Sequence, residues 1–179
     1  MNIIPTEIDG LVVIEPRVFQ DHRGYFFETY NAQSHQLQYA HDFVQDNEAK
    51  SNKGVLRGLH AQKGEAAQGK LVRVITGSVF DVAVDIRPGS ATYGRWFGIE
   101  LSGDNKKQLW VPRGFAHGYL VLEDNTVFSY KCDNYYNQPE ELGIRYDDPH
   151  LDIKWPDVGM SFVVSEKDIL LGSLRDLHL

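Results

Sequence analysis

The chain has 179 residues, 42% hydrophobic and 24% charged, which excludes a disordered chain and suffices for one domain over residues 1–179 with a buried core. A formal net charge of −7 excludes a general nucleic-acid binder, so a phosphorylated ligand must be held by a few placed cations. No apolar stretch approaches the ~18 residues of a membrane span, the opening MNIIPTEIDG lacks the positive flank and apolar run of a signal peptide, and the single cysteine, Cys132, excludes an internal disulfide and fits a reducing cytoplasm.

From the N-terminus most segments read as strands. Leu11 to Phe19 is rich in β-branched residues, and Tyr25 to Tyr30 is aromatic-rich after the turn signal Asp21-His22-Arg23-Gly24. Ala32 to Tyr39 reads as one short helix. Lys70 to Ile75 alternates, and Gly77-Ser78 separates it from a second run, Val79 to Ile86. In that run Asp81, Ala83 and Asp85 share one face, and Phe80, Val82, Val84 and Ile86 the other. Arg87-Pro88-Gly89-Ser90 is a turn, Trp96 to Ser102 a strand, Gly103-Asp104-Asn105 a turn, and Gln108 to Pro112 a strand. Tyr119 to Leu122 and Thr126 to Cys132 form a hairpin across Glu123-Asp124-Asn125. Ser165-Glu166-Lys167-Asp168 has the pattern of a helix capping box. Many short strands with turns every ~8–12 residues argue an all-β chain, an antiparallel jelly-roll barrel or sandwich with a few short peripheral helices. Such barrels hold ligands on inward-facing side chains.

Several segments carry reactive groups. In Val55-Leu56-Arg57-Gly58-Leu59-His60 an arginine and a histidine lie three apart, on opposite faces of a regular strand. A bulge at Gly58 would bring them to one face; without it the plain alternative is a core histidine beside a solvent-facing arginine. Lys70 leads into an apolar strand: an inward lysine must be paired or functional, and the alternative is a strand end in water. Pro112-Arg113-Gly114-Phe115-Ala116-His117 resembles the second half of the cupin signature, whose histidine often binds metal. The first half, His-x-His with a downstream glutamate, is missing: His60-Ala61-Gln62 offers one histidine, so no metal is expected. Tyr130 shares a strand face with Phe128, as packing or as an acid. Asp168 either completes the capping box or orients a histidine. No nucleophile elbow, Walker or Rossmann glycine pattern occurs.

In this order and spacing the segments resemble the dTDP-4-dehydrorhamnose 3,5-epimerase family of cupin-type enzymes. The resemblance runs through Phe19-Gln20-Asp21-His22-Arg23-Gly24-Tyr25-Phe26, Phe43-Val44-Gln45-Asp46-Asn47, the Arg57 to His60 motif, Lys70 to Val74, Asp81 to Arg87, Pro112 to Gly118, Tyr130-Lys131-Cys132 and Ser165 to Asp168. It implies a cofactor-independent epimerase acting on a dTDP-4-keto-6-deoxyhexose. His60 would be the proton acceptor, oriented by Asp168; Tyr130 would be the proton donor; Lys70 would stabilise the enolate. Arg23, Phe26, Glu28, Gln45, Asp46, Asn47, Arg57, Lys70, His117, Glu141 and Lys167 would hold the nucleotide sugar. The resemblance further implies a homodimer with sites completed across the interface. Ala61, Ala49 and the Lys63-Gly64-Glu65 loop depart from the family pattern near the site and bear on substrate preference.

The residue types suit the chemistry. A ketone at C4 acidifies the hydrogens on C3 and C5, so the reaction needs a base, an enolate stabiliser and an acid on the opposite ring face. A positioned acid or base contributes ~10²–10⁴-fold, and a cation at the developing oxyanion roughly 10²–10³-fold. The rival readings are an epimerase acting at C3 or C5 alone, or a non-catalytic sugar-nucleotide-binding cupin, whose signature would be loss of His60, Tyr130 or Lys70.

Overall fold

A computed structural model describes residues 1–35, 37 and 42–177. In chain order its strands are β1 (Asn2–Pro5), β2 (Val12–Glu15), β3 (Phe19–Asp21), β4 (Gly24–Phe26), β5 (Gln45–Ser51), β6 (Val55–Gln62), β7 (Lys70–Thr76), β8 (Ser78–Asp85), β9 (Trp96–Ser102), β10 (Gln108–Val111), β11 (Phe115–Val121), β12 (Thr126–Cys132), β13 (Glu141–Gly143) and β14 (Val163–Val164), followed by the short helix α1 (Glu166–Ile169). One sheet has the order β1-β2-β10-β7-β12-β5, the other β13-β6-β11-β8-β9 with β14 joining β6. Sequence neighbours repeatedly lie in opposite sheets, as in the expected jelly roll.

Alternation decides what lies between the sheets. From β8, Val79 and Ala83 enter a core shared with Val72, Val74, Leu109, Tyr119 and Phe128. Phe80, Val82, Val84 and Ile86 point the other way, beneath Ile144, Leu151 and Trp155 of the C-terminal segment. Asp85, on the inner parity, is fully buried, and it accepts from Arg87 and from the hydroxyls of Ser90 and Thr92. Those donors hold its pKa down at about 2 although burial pushes the other way.

Three expected elements differ. The strand expected over residues 11–19 ends at Glu15, because Pro16 has no amide hydrogen to extend the ladder. The strand expected over 25–30 stops at Phe26. Beyond it the chain turns to cover the outer face of the first sheet: Tyr30 packs edge-on to Phe43, Phe43 to Trp110, and Gln108 Nε2 donates to the Thr29 carbonyl. Of the helix expected over 32–39, residues 32–34 form a turn, and 36 and 38–39 lie outside the described residues.

Candidate active site

A cavity of about 580 Å³ opens between the sheets, within the usual range for a small-molecule site. His60 enters it from β6. The β6–β11 pairing passes from His60↔His117 to Arg57↔Tyr119, so β6 spends three steps where β11 spends two. The bulge at Gly58 brings Arg57 and His60 to one cavity. Only glycine fits: its φ is +116°, and a Cβ there would lie 2.7 Å from Gly118 Cα.

Asp168 reaches the same point from α1. Ser165 Oγ accepts from the Asp168 amide, which is half of the expected capping box. The carboxylate does not return to Ser165. Its Oδ1 meets His60 Nε2 at 2.7 Å, and its Oδ2 accepts from the Gly58 amide at 3.2 Å. One ring nitrogen is thereby fixed and Nδ1 is left for a ligand. Burial lowers the His60 pKa; the Asp168 charge and hydrogen bond oppose that, Lys70 adds to it, and Glu141 opposes it.

The facing sheet supplies Lys70 and Tyr130. Lys70 opens β7 between Val111 and Cys132. Among the described residues no carboxylate pairs with it, and burial lowers its pKa against weak opposition from Cys132, Asp81 and Glu141. Tyr130 lies on the same face of β12 as Phe128 and Cys132, and burial raises its pKa, with Cys132 adding and Arg57 opposing. Cys132 is itself buried and pushed up to about 11, again by burial first. His117 lies beside His60 in register, with Nε2 2.9 and 3.0 Å from the oxygens of buried Asp81. Phe128 stacks on Tyr119 at 4.1 Å to close the floor.

A smaller chamber continues past His60, Lys70 and Tyr130 to Gln45, Asn47, Glu141 and Tyr136. Glu141 Oε1 accepts from Lys167 Nζ and its Oε2 from the Tyr136 hydroxyl, each at 2.5 Å. Tyr136 lines this chamber and carries no signal in the sequence: it lies in the irregular run Asn134-Tyr135-Tyr136-Asn137, which has no period to mark it. Arg57 lines the cavity mouth and donates to Ser51 Oγ.

Four expected binding residues are elsewhere in this chain. On β5 strict alternation turns Asp46 to the outer face, where it pairs with Lys131 at 2.9 Å. Arg23 and Phe26 stand on the β3–β4 hairpin, Arg23 paired with Asp21 and Phe26 70% exposed. Glu28 accepts from Asn31 Nδ2 and Ser34 Oγ. None of the four lines the His60 cavity. Of the departures from the family pattern, Ala49 lines the cavity, Ala61 is buried in the outer core, and residues 64–66 form a single 3₁₀ turn. Among the described residues no group of three or more His, Cys, Asp and Glu gathers as a metal site, and no helix is long and apolar enough to cross a membrane.

The fold and cavity define a cupin-type β-sandwich whose polar centre is a half-buried histidine, paired with a buried aspartate, facing a lysine and a tyrosine. The family model described as dTDP-4-dehydrorhamnose 3,5-epimerase matches residues 5–176, and the chain belongs to that family. It is 52% identical over 179 residues to the dTDP-4-dehydrorhamnose 3,5-epimerase of Escherichia coli K12, covering 99% of this chain and 96% of that one. Among solved structures it is similar to a dTDP-6-deoxy-D-glucose-3,5-epimerase from Legionella pneumophila in complex with dTDP-4-keto-L-rhamnose, with TM-score 0.95, 50% identity, and 99% and 94% of the two chains covered. It is also similar to a 3′-monoepimerase from Streptomyces bikiniensis in complex with dTDP-quinovose, with TM-score 0.89, 31% identity, and 96% and 87% covered.

Proposed function

We propose that this chain, acting as one domain, inverts C3 and C5 of dTDP-4-dehydro-6-deoxy-D-glucose to give dTDP-4-dehydro-L-rhamnose without a cofactor. The observation that carries the reading is the opposition of two walls: His60, backed by Asp168 of α1, stands on one sheet, and Tyr130 and Lys70 on the other. A sugar ring between them meets a base on one face and an acid on the opposite face.

In each half-reaction His60 Nδ1 takes the proton from the carbon beside the ketone, and the electron pair of that C–H bond passes to the C4 oxygen. Lys70 is suited to that oxygen. Its ammonium is desolvated and has no carboxylate paired with it among the described residues, so the anion formed in the reaction is its best available counter-charge. Tyr130 then gives its hydroxyl proton to the carbon from the other side, and exchange with water resets both groups. Asp168 stabilises the imidazolium and fixes the ring. Arg57 and Lys167, at the mouth, suit the diphosphate. Tyr136, half exposed beside Gln45 and Asn47, offers a flat surface for the base.

We further propose a homodimer in which the β3–β4 hairpin reaches a partner's cavity. Supporting this, Phe19, Tyr25 and Phe26 are each more than half exposed on one short ribbon. A cytoplasmic location suits the single free thiol.

Ring stereochemistry of the isolated product, read by proton coupling constants, tests the reaction. Inversion at both carbons is expected. Inversion at one alone selects the single-site reading, which the similarity to a 3′-monoepimerase favours; an unchanged sugar overturns both.

A further inference from the structure

Glu141 occupies an unusual place between the chamber at Tyr136 and the His60–Asp168 pair. It opens β13, which runs antiparallel to β6 so that Glu141 faces Gln62 and Gly143 faces His60. Its side chain is only 14% exposed, and both oxygens are taken, one by Lys167 Nζ and one by the Tyr136 hydroxyl. Lys167 directly precedes Asp168 in a helix of four residues, too short to keep its shape unaided. The position of Asp168 therefore depends on its outside ties: Ser165 Oγ, the Gly58 amide, His60, and the Lys167–Glu141 bridge. A ligand that stacks on Tyr136 presses on the far end of the same chain of bonds.

We propose that Glu141 is a positioning residue that passes occupation of the nucleoside end of the cavity to the His60–Asp168 pair, through Tyr136 on one side and Lys167 on the other. The nucleoside then raises the rate of proton abstraction as well as the affinity. The inference rests on the epimerase reading above. In that reading His60 feels Asp168 from α1, Lys70 from β7 and Glu141 from β13, with Arg57 on its own strand and His117 and Tyr130 lining the same cavity from β11 and β12.

The test is the pH dependence of kcat and KM for solvent exchange in wild type, Glu141→Gln and Lys167→Gln. Both variants should lose about tenfold in kcat, the scale of one lost charged hydrogen bond. In both, the acid limb of kcat should move to lower pH. For Glu141→Gln the sign has two sources, a lost negative charge near His60 and a loosened Asp168. For Lys167→Gln they oppose: losing a positive charge alone moves the limb up, and only loosening of Asp168 moves it down. Tyr136→Phe keeps the ring and the fold, and should lower kcat two- to threefold with KM nearly unchanged, about half a kcal/mol. A raised KM with kcat and the limb unmoved in both charge variants would make Glu141 a substrate contact and overturn the relay. An upward limb in Lys167→Gln would also overturn it. Wild-type protein without exchange overturns the epimerase reading, and the relay falls with it.

Discussion

The cavity walls and the β3–β4 hairpin are built in opposite ways. His60, Lys70, Tyr130 and His117 sit on long strands paired on both sides, and the partners of His60 and His117 are buried carboxylates. Phe26 stands on β4, which together with β3 makes a ribbon of two three-residue strands paired, among the described residues, with each other alone; Arg23 lies in the turn between them, and its partner is a near neighbour in sequence. Proton transfer needs atoms held within tenths of an ångström, which a packed sheet provides. The nucleotide grip proposed for the hairpin needs less precision and tolerates an exposed ribbon. Substitutions in the walls should therefore act on kcat, and those on the hairpin on KM.

The largest effect is expected at His60. His60→Asn keeps the shape and a hydrogen bond to Asp168 but removes the proposed base, and kcat should fall about 10³-fold with unchanged melting temperature. Lys70→Met should come next, with a loss of roughly 10²-fold in kcat and little change in KM, because the proposed place of the lysine is at the enolate. Tyr130→Phe should still exchange substrate protons with solvent yet invert poorly; full inversion would move the acid's role to another group. Asp168→Asn sharpens the comparison through pH. Burial already puts the His60 pKa below its ordinary ~6.5, so the base is neutral and active down to lower pH than a free histidine. Asp168 opposes that shift, so its loss should move the acid limb of kcat further down. The smallest effect is expected on the hairpin, where Phe26→Ala should raise KM several-fold and leave kcat within twofold. A large kcat loss there would break the division between walls and ribbon.

Much of this was legible in the sequence because alternation is local. The division of β8 into two faces followed from parity, and the fold decided which face turned inward. The pairing of Arg57 with His60 was legible only through Gly58, the single residue whose φ and crowding allow the extra step. Long-range partners were not. Asp168 carries a helix-capping pattern at its own position, and nothing local says that both its oxygens turn to β6, 108 residues away. Residues 27–30 look like a strand, and lose that form to packing over Trp110 that only the fold creates. The resemblance implies one binding stretch, Gln45-Asp46-Asn47, whereas the pleat turns Asp46 away from its two neighbours.

The central claim is tested most directly by incubating wild-type and His60→Asn protein with dTDP-4-keto-6-deoxyglucose in D₂O and following the sugar protons by NMR. Deuterium should enter at both C3 and C5 with the wild type and at neither carbon with the variant. Equal exchange by the two proteins, or none by the wild type, would contradict the assignment of His60 as the base on which the whole site turns.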